Sequence, residues 1–348
     1  MFDLSELQAA ADLVHRSVPP SPQLRWPLLD RATGARVVVK HENANPTGAF
    51  KVRGGVTFID WLRRTHPDCP GICTATRGNH GQSQARAAVA AGLRAVVYVP
   101  EGNSPEKNAA MAAWGAELRV HGADFDAARE EAFRVAEAEG LFIVPPFHRE
   151  LVRGVATYAL ELLSEHPQIE TLYVPIGCGS GICGCIAARD ALGHRAEIVG
   201  VVSEGAPVAK LSAEAGRPVA CNDARTFADG MAVRVAVPEA LAIYAAGAAR
   251  ILSVTEDELA EAIRLTWTAC HHAAEGAGAA PLAGLMQERA AMAGREVAVI
   301  LCGGNIDAPK MAEVLRGGHA RALSLRSVRS RSCGGGRAGR EWRGRSRS

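Results

Sequence analysis

Lys51 is the residue of this 348-residue chain best placed to act as a nucleophile. It follows Pro46-Thr47-Gly48-Ala49-Phe50, and behind it Val56-Thr-Phe-Ile-Asp-Trp-Leu62 has the apolar spacing of a helix. Ahead lies Ala35-Arg-Val-Val-Val-Lys40, a β-branched run that reads as a strand. A lysine at such a junction sits among the free N–H groups of a helix start, which attract anions. An amine placed there is suited to condense with a carbonyl, the Schiff-base chemistry open to lysine. Two further junctions carry Thr74-Ala-Thr-Arg-Gly-Asn-His-Gly-Gln-Ser83 and Pro175-Ile-Gly-Cys-Gly-Ser-Gly-Ile-Cys-Gly184. Closely spaced glycines ahead of a helix let consecutive N–H groups converge on a phosphate. Three junctions of this kind point to one site built at strand ends.

The elements that must position these residues are legible as alternating runs. Ile72-Cys-Thr-Ala75, Ala95-Val-Val-Tyr-Val99, Glu117-Leu-Arg-Val120, Leu141-Phe-Ile-Val144, Thr171-Leu-Tyr-Val174, Glu197-Ile-Val-Gly-Val-Val202 and Val297-Ala-Val-Ile-Leu301 read as strands. Between them lie amphipathic stretches such as 124–139 and 256–268. Alternation of this kind predicts an α/β fold, with mostly parallel sheets and helices on both faces. Open sheets of that class bind ligands at the carboxyl ends of their strands.

Four motifs occur in a set order: Phe50-Lys51 after the Pro-Thr-Gly turn, Gly78-Asn79-His80-Gly81, the loop Gly177 to Gly181, and Cys302-Gly303-Gly304-Asn305. On these the chain resembles the pyridoxal-phosphate (PLP) enzymes of the threonine/serine dehydratase group, the fold-type-II or tryptophan-synthase-β-like class. The wording around the motifs is most similar to the phenylserine-dehydratase-like branch. The resemblance implies a two-lobed molecule, with a large PLP-binding lobe of residues 1–54 and 149–320 and a small lobe of 55–148. It implies that Lys51, beside Phe50, holds PLP covalently and then serves as the base at the substrate's Cα. It further places the cofactor phosphate on Gly177, Cys178, Gly179, Ser180 and Gly181, Asn79 at the 3-oxygen, and Cys302 at the pyridine nitrogen. The substrate carboxylate would be received by Thr76, Arg77, Gly78 and His80. A thiol partner leaves the ring a shallower electron sink than a carboxylate would, which favours β-elimination over transamination. The expected reaction is dehydration and deamination of a β-hydroxy-α-amino acid (L-threonine, L-serine or phenylserine) to a 2-ketoacid and ammonia. A cytoplasmic homodimer is expected, with Glu275 near the ring edge and Pro145-Pro-Phe-His148 in the pocket wall.

Several of these residues also have plain structural readings. Cys302 suits a small buried hydrophobe, Asn79 and His80 suit the cap of the following helix, and Arg53 suits an internal ion pair. Two positions depart from the family pattern. Dehydratase-like racemases place a serine directly before Gly-Asn-His as a second acid/base, and here that position is Arg77. A guanidinium is a poor proton shuttle but a good bidentate partner for a carboxylate, so racemisation stands as the alternative and not the expectation. The family's metal-binding acid aligns with Val202, with Glu204 two residues on, and no Mg²⁺ or Ca²⁺ site is assigned. Gly179-Ser-Gly-Ile-Cys-Gly184 with Glu204 also satisfies a dinucleotide fingerprint. An NAD-dependent dehydrogenase is therefore a remote second alternative, one that leaves Lys51, Asn79 and the Cys302 motif without a role.

Composition narrows the class. No apolar run is long enough to span a bilayer, and the acidic N-terminal stretch does not read as a signal peptide. Nine cysteines, an odd number set mostly in apolar or glycine-rich sequence, suit reduced thiols better than a disulfide framework. The net charge of +2 hides an asymmetry, because residues 321–348 hold nine arginines against one glutamate. That Arg/Ser/Gly tail is expected to be disordered. Such compositions bind nucleic acid in some proteins, but here a solvated extension on an acidic body is expected, without a nucleic-acid partner.

Overall fold

The computed structural model describes residues 1–222 and 224–317; the expected disorder of 321–348 lies outside them. Six strands form one sheet in the order β1-β2-β10-β7-β8-β9. They are β1 (Gln23–Arg25), β2 (Arg36–His41), β7 (Thr171–Pro175), β8 (Glu197–Ser203), β9 (Arg250–Val254) and β10 (Glu296–Leu301). All pairings are parallel except β1 with β2. A second, wholly parallel sheet has the order β5-β4-β3-β6, from β3 (Gly71–Ala75), β4 (Arg94–Val99), β5 (Glu117–Val120) and β6 (Phe142–Ile143). The central strands read as unbroken apolar runs because helices cover both faces. Leu172, Tyr173 and Val174 of β7 and Val297 to Leu301 of β10 are accordingly buried in one core. A separate core around Phe58, Leu62, Ile72 and Ala85 lies against the four-stranded sheet.

The helix Lys51–Thr65 runs between these two layers, and its small residues allow the close fit. A Cβ on Gly54 would meet the Leu151 carbonyl oxygen at 2.7 Å, and one on Gly55 would meet Ser83 Oγ at 2.4 Å. Below the helix start lies an enclosed set of charges. Arg53 makes a bidentate pair with Glu42 (Nε–Oε2 2.8 Å, Nη2–Oε1 2.9 Å) and reaches Glu161 at 2.5 Å. Lys40 bonds the other Glu161 oxygen at 2.5 Å. The Lys40, Glu42 and Arg53 side chains are fully enclosed, and Glu161 is 8% exposed. Two cations and two carboxylates balance, which is the condition for burying charge at all. Arg53 is thus an internal ion-pair residue that anchors the helix, two positions from Lys51.

Candidate active site

The four motifs meet in one cavity at the carboxyl end of β7 and β10. It is lined by Phe50, Lys51, Asn79, Gly177, Cys178, Gly179, Ser180, Gly181, Met231, Glu275 and Cys302, among others. A wider hollow bounded by Val56, Arg86 and Trp114 contains none of the motif residues. Lys51 is the first residue of its helix, and its Nζ stands 4.6 Å from the centre of the Phe50 ring. The backbone on either side is pinned. Phe50 N–H donates to the Cys302 carbonyl at 2.9 Å, and the Lys51 carbonyl accepts from Ser83 Oγ at 2.5 Å. Gly48 takes φ +66°, where a side chain would also strike Asn305, so the Pro-Thr-Gly turn needs its glycine.

Asn305 joins three of the motifs. Its Nδ2 donates to the Thr47 carbonyl and to Asn79 Oδ1, both at 2.8 Å. Asn79 Nδ2 donates in turn to Glu275 Oε1 at 2.6 Å. Both ends of the Asn79 amide are thereby fixed, and the second Nδ2 hydrogen remains for a ligand.

The glycine loop is built to receive an anion. Gly179 (φ +99°) caps the helix Ser180–Leu192, whose first N–H groups have no helical acceptor. A Cβ on Gly177 would lie 2.1 Å from the Gly230 carbonyl oxygen, and one on Gly179 would lie 2.6 Å from the Ala240 Cβ. Ser180 is buried at the first helical position. At the other wall Cys302 is buried, and burial, with the Glu275 charge adding, pushes its thiol up well above the ordinary value. The thiol is therefore neutral, as the partner of an unprotonated pyridine nitrogen must be. Burial also raises the Cys178 thiol, so neither cysteine brings an anion to the cavity. A carbonyl-reactive amine, an anion cradle, a fixed amide and a neutral thiol around one space fit PLP.

The loop before Asn79 is shaped from within. Thr76 Oγ accepts from the N–H groups of Gly78 (3.0 Å) and Gly81 (3.3 Å), so its lone pairs shape the turn while its O–H remains as a donor. Asn79 and His80 open the helix Asn79–Ala90, which leaves their N–H groups without helical acceptors. His80 Nε2 is enclosed without a hydrogen-bond partner. Burial, reinforced by the Lys51 charge, drops the imidazole to about 3, so His80 is neutral. Arg77 is exposed. Of the residues expected from this loop, only Asn79 lines the cavity wall itself.

None of Pro145 to His148 is among the residues lining this cavity. His148 caps the helix Arg149–Glu165, accepting from Glu150 N–H at 3.1 Å, and its ring packs on Trp61 and Phe58. Beyond β8, Ser203 Oγ is taken by Glu256 at 2.8 Å. Among the described residues no three His, Cys, Asp or Glu groups gather as metal ligands. Two groups next to the cavity were not anticipated, Lys107 and Asp229, paired at 2.8 Å. Nothing in their sequence neighbourhood marks them.

A family model described as pyridoxal-phosphate dependent enzyme matches residues 14–303. An L-threonine ammonia-lyase of Geobacter sulfurreducens is 33% identical over 319 residues, covering 91% of this chain and 79% of that protein. Among solved structures, a threonine deaminase from T.th. superposes with a TM-score of 0.82 at 32% identity, over 88% of this chain and 99% of that one. A pyridoxal 5'-phosphate-dependent aspartate racemase gives a TM-score of 0.82 at 25% identity, over 89% and 97%. The family model spans most of the chain and takes in Lys51, Asn79, the glycine loop and Cys302: the chain belongs to the pyridoxal-phosphate dependent enzymes.

Proposed function

We propose that this protein is an ammonia-lyase that eliminates water from a β-hydroxy-α-amino acid of the threonine/serine type, giving a 2-ketoacid and ammonia. The observation that carries the reading is the buried, neutral Cys302 thiol facing the same cavity as Lys51 and the glycine loop. When bound, PLP supplies an electrophilic carbonyl and a conjugated ring that draws electrons from the substrate's Cα. Lys51 supplies the amine that holds the cofactor and, once displaced by the substrate amine, removes the proton at Cα. Its position at the helix start, clamped by the bonds of Phe50 and Ser83, keeps that amine over one face of the cavity. Gly177, Cys178, Gly179, Ser180 and Gly181 hold the phosphate at the start of their helix. Asn79 donates to the 3-oxygen with its remaining hydrogen. Cys302 would pair with the ring nitrogen without protonating it, and the proton that Lys51 takes from Cα would leave with the β-hydroxyl as water. The carboxylate of the substrate is received by the loop of Thr76, Arg77, Gly78 and His80, chiefly through N–H groups at the start of the Asn79–Ala90 helix.

The L-threonine ammonia-lyase and threonine deaminase relatives support elimination, and the aspartate racemase supports the second reading, racemisation. Arg77 supports elimination here, because it stands in sequence where such racemases carry a serine, and a guanidinium exchanges no proton with Cα at neutral pH. The deciding experiment offers L-serine, L-threonine and both phenylserine diastereomers to the purified holoenzyme. Ketoacid and ammonia in equal amounts are expected. A D-amino acid accumulating without ketoacid would establish the racemase instead. The family resemblance carries a homodimer and a cytoplasmic setting with this reading, and sedimentation of the holoenzyme tests the former.

A further inference from the structure

One buried cation beside the cavity has no part in the chemistry above. Lys107 lies on the helix Pro105–Ala113, which packs on the four-stranded sheet side. Its stem runs along the Gly-Asn-His loop so closely that a Cβ on Gly78 would sit 2.5 Å from Lys107 Cδ. Its Nζ crosses to two carboxylates on the six-stranded sheet side, Asp229 Oδ2 at 2.8 Å and Glu275 Oε2 at 3.6 Å. The other Glu275 oxygen receives Asn79 Nδ2 at 2.6 Å. Asp229, Lys107, Glu275 and Asn79 thus form a continuous charged and hydrogen-bonded chain that ends on the cavity wall. Neighbouring contacts cross the same gap: Ser104 Oγ donates to Asp307 at 2.5 Å, and Ala308 N–H donates to Glu106 at 2.9 Å.

We propose that Lys107 is a positioning residue that, by spanning the two sheet layers, holds Glu275 as a carboxylate and through it fixes the Asn79 amide at the cofactor. Glu275 is buried, and an enclosed carboxylate persists only with a facing cation and hydrogen-bond donors. The groups that face it are Lys107 from its helix, Asp229 from the Asp229–Met231 turn, Lys51 from the helix opposite, the Asn79 amide and the Cys302 thiol at the end of β10. Once Lys51 is committed to the cofactor, Lys107 is the cation left among these. Burial raises the Glu275 carboxyl above its ordinary value, Lys107 opposes that rise, and the Asp229 charge adds to it. Removing Lys107 and removing the Asp229 charge therefore move Glu275 in opposite directions, a signature that packing alone does not produce.

The inference rests on the cavity as the PLP site and not on which reaction follows, so it is tested without substrate. The visible absorbance of the holoenzyme is titrated against pH for the native protein, K107M, K107R and D229N. The acid-side midpoint is expected to rise in K107M by on the order of one pH unit, to return in K107R, and to fall in D229N. An unmoved midpoint in K107M, or K107M and D229N moving the same way, overturns the proposal. Should K107M fail to fold, a D229N midpoint that stays or rises overturns it equally, and a midpoint that falls while K107R stays native supports it. A protein inactive toward every β-hydroxy amino acid but showing these shifts would refute the elimination reading while leaving this one standing.

Discussion

Glu161→Gln is the substitution whose cost follows most directly from the geometry. Glu161 bonds Arg53 at 2.5 Å and Lys40 at 2.5 Å, with His15 Nε2 at 2.7 Å from Oε1. Burial alone would raise its carboxyl, but the Arg53 and Lys40 charges and bonds overcome that and bring it down to about 2, from an ordinary value of 4.5. A depression of that size corresponds to roughly 3 kcal/mol of folding stability at neutral pH. Mutational experience with one-sided removal from buried pairs gives about 3–5 kcal/mol, because the surviving charges are left enclosed. The two routes agree. Glu161→Gln is therefore expected to lower unfolding free energy by about 3 kcal/mol at pH 7, measured by urea denaturation followed by circular dichroism. The sign of the pH dependence follows from the lowered carboxyl. Its contribution is complete above the unfolded value near 4.5 and is lost as pH falls toward about 2. The native protein should lose stability through that window more steeply than the variant. A loss below about 1 kcal/mol at neutral pH, or parallel pH dependence of the two proteins, would refute the claim that this network anchors the Lys51 helix.

Lys51→Ala should abolish turnover and the borohydride-trapped pyridoxyl adduct while the protein stays folded; mass spectrometry finding that adduct on another lysine in the native enzyme would remove Lys51 from its role. Cys302→Asp brings a carboxylate that keeps the pyridine nitrogen protonated, so elimination should slow by about tenfold or more with cofactor still loaded; an unchanged rate would mean that Cys302 does not meet that nitrogen. Gly177→Ala sets a methyl 2.1 Å from the Gly230 carbonyl oxygen and must displace the loop. PLP affinity should fall by on the order of a hundredfold, read by fluorescence titration, and native-like affinity would place the phosphate elsewhere.

Local sequence carried much of the architecture. Eight of the ten strands among the described residues were legible, and the central ones among them because their residues are apolar in unbroken runs, as parallel strands covered on both faces must be. The two that escaped are the edges of the six-stranded sheet: β1 is three residues long with two exposed, and β9 is part-buried along most of its length. Neither has the burial that writes a pattern into sequence. Lys51 at a helix start and the glycines ahead of Ser180 were legible too, because a positive φ or a close backbone approach admits few residue types.

What the sequence determined by itself, then, was the alternation of elements and the residue types at each strand-to-helix junction, since both are local requirements of backbone and burial. Tertiary structure alone decided the partners. Arg53 and Glu161 are 108 positions apart, Asn79 and Glu275 are 196 apart, and Asn305 reaches Thr47 across 258. His148, next to Phe147, turned out to cap a helix, and Lys107, in an unremarkable surface-type helix sequence, turned out to be buried against two carboxylates. A charge or amide carries no record of its partner in its neighbours along the chain, because the energy of the pair depends on distance and enclosure, and those exist only once the two sheets have packed together.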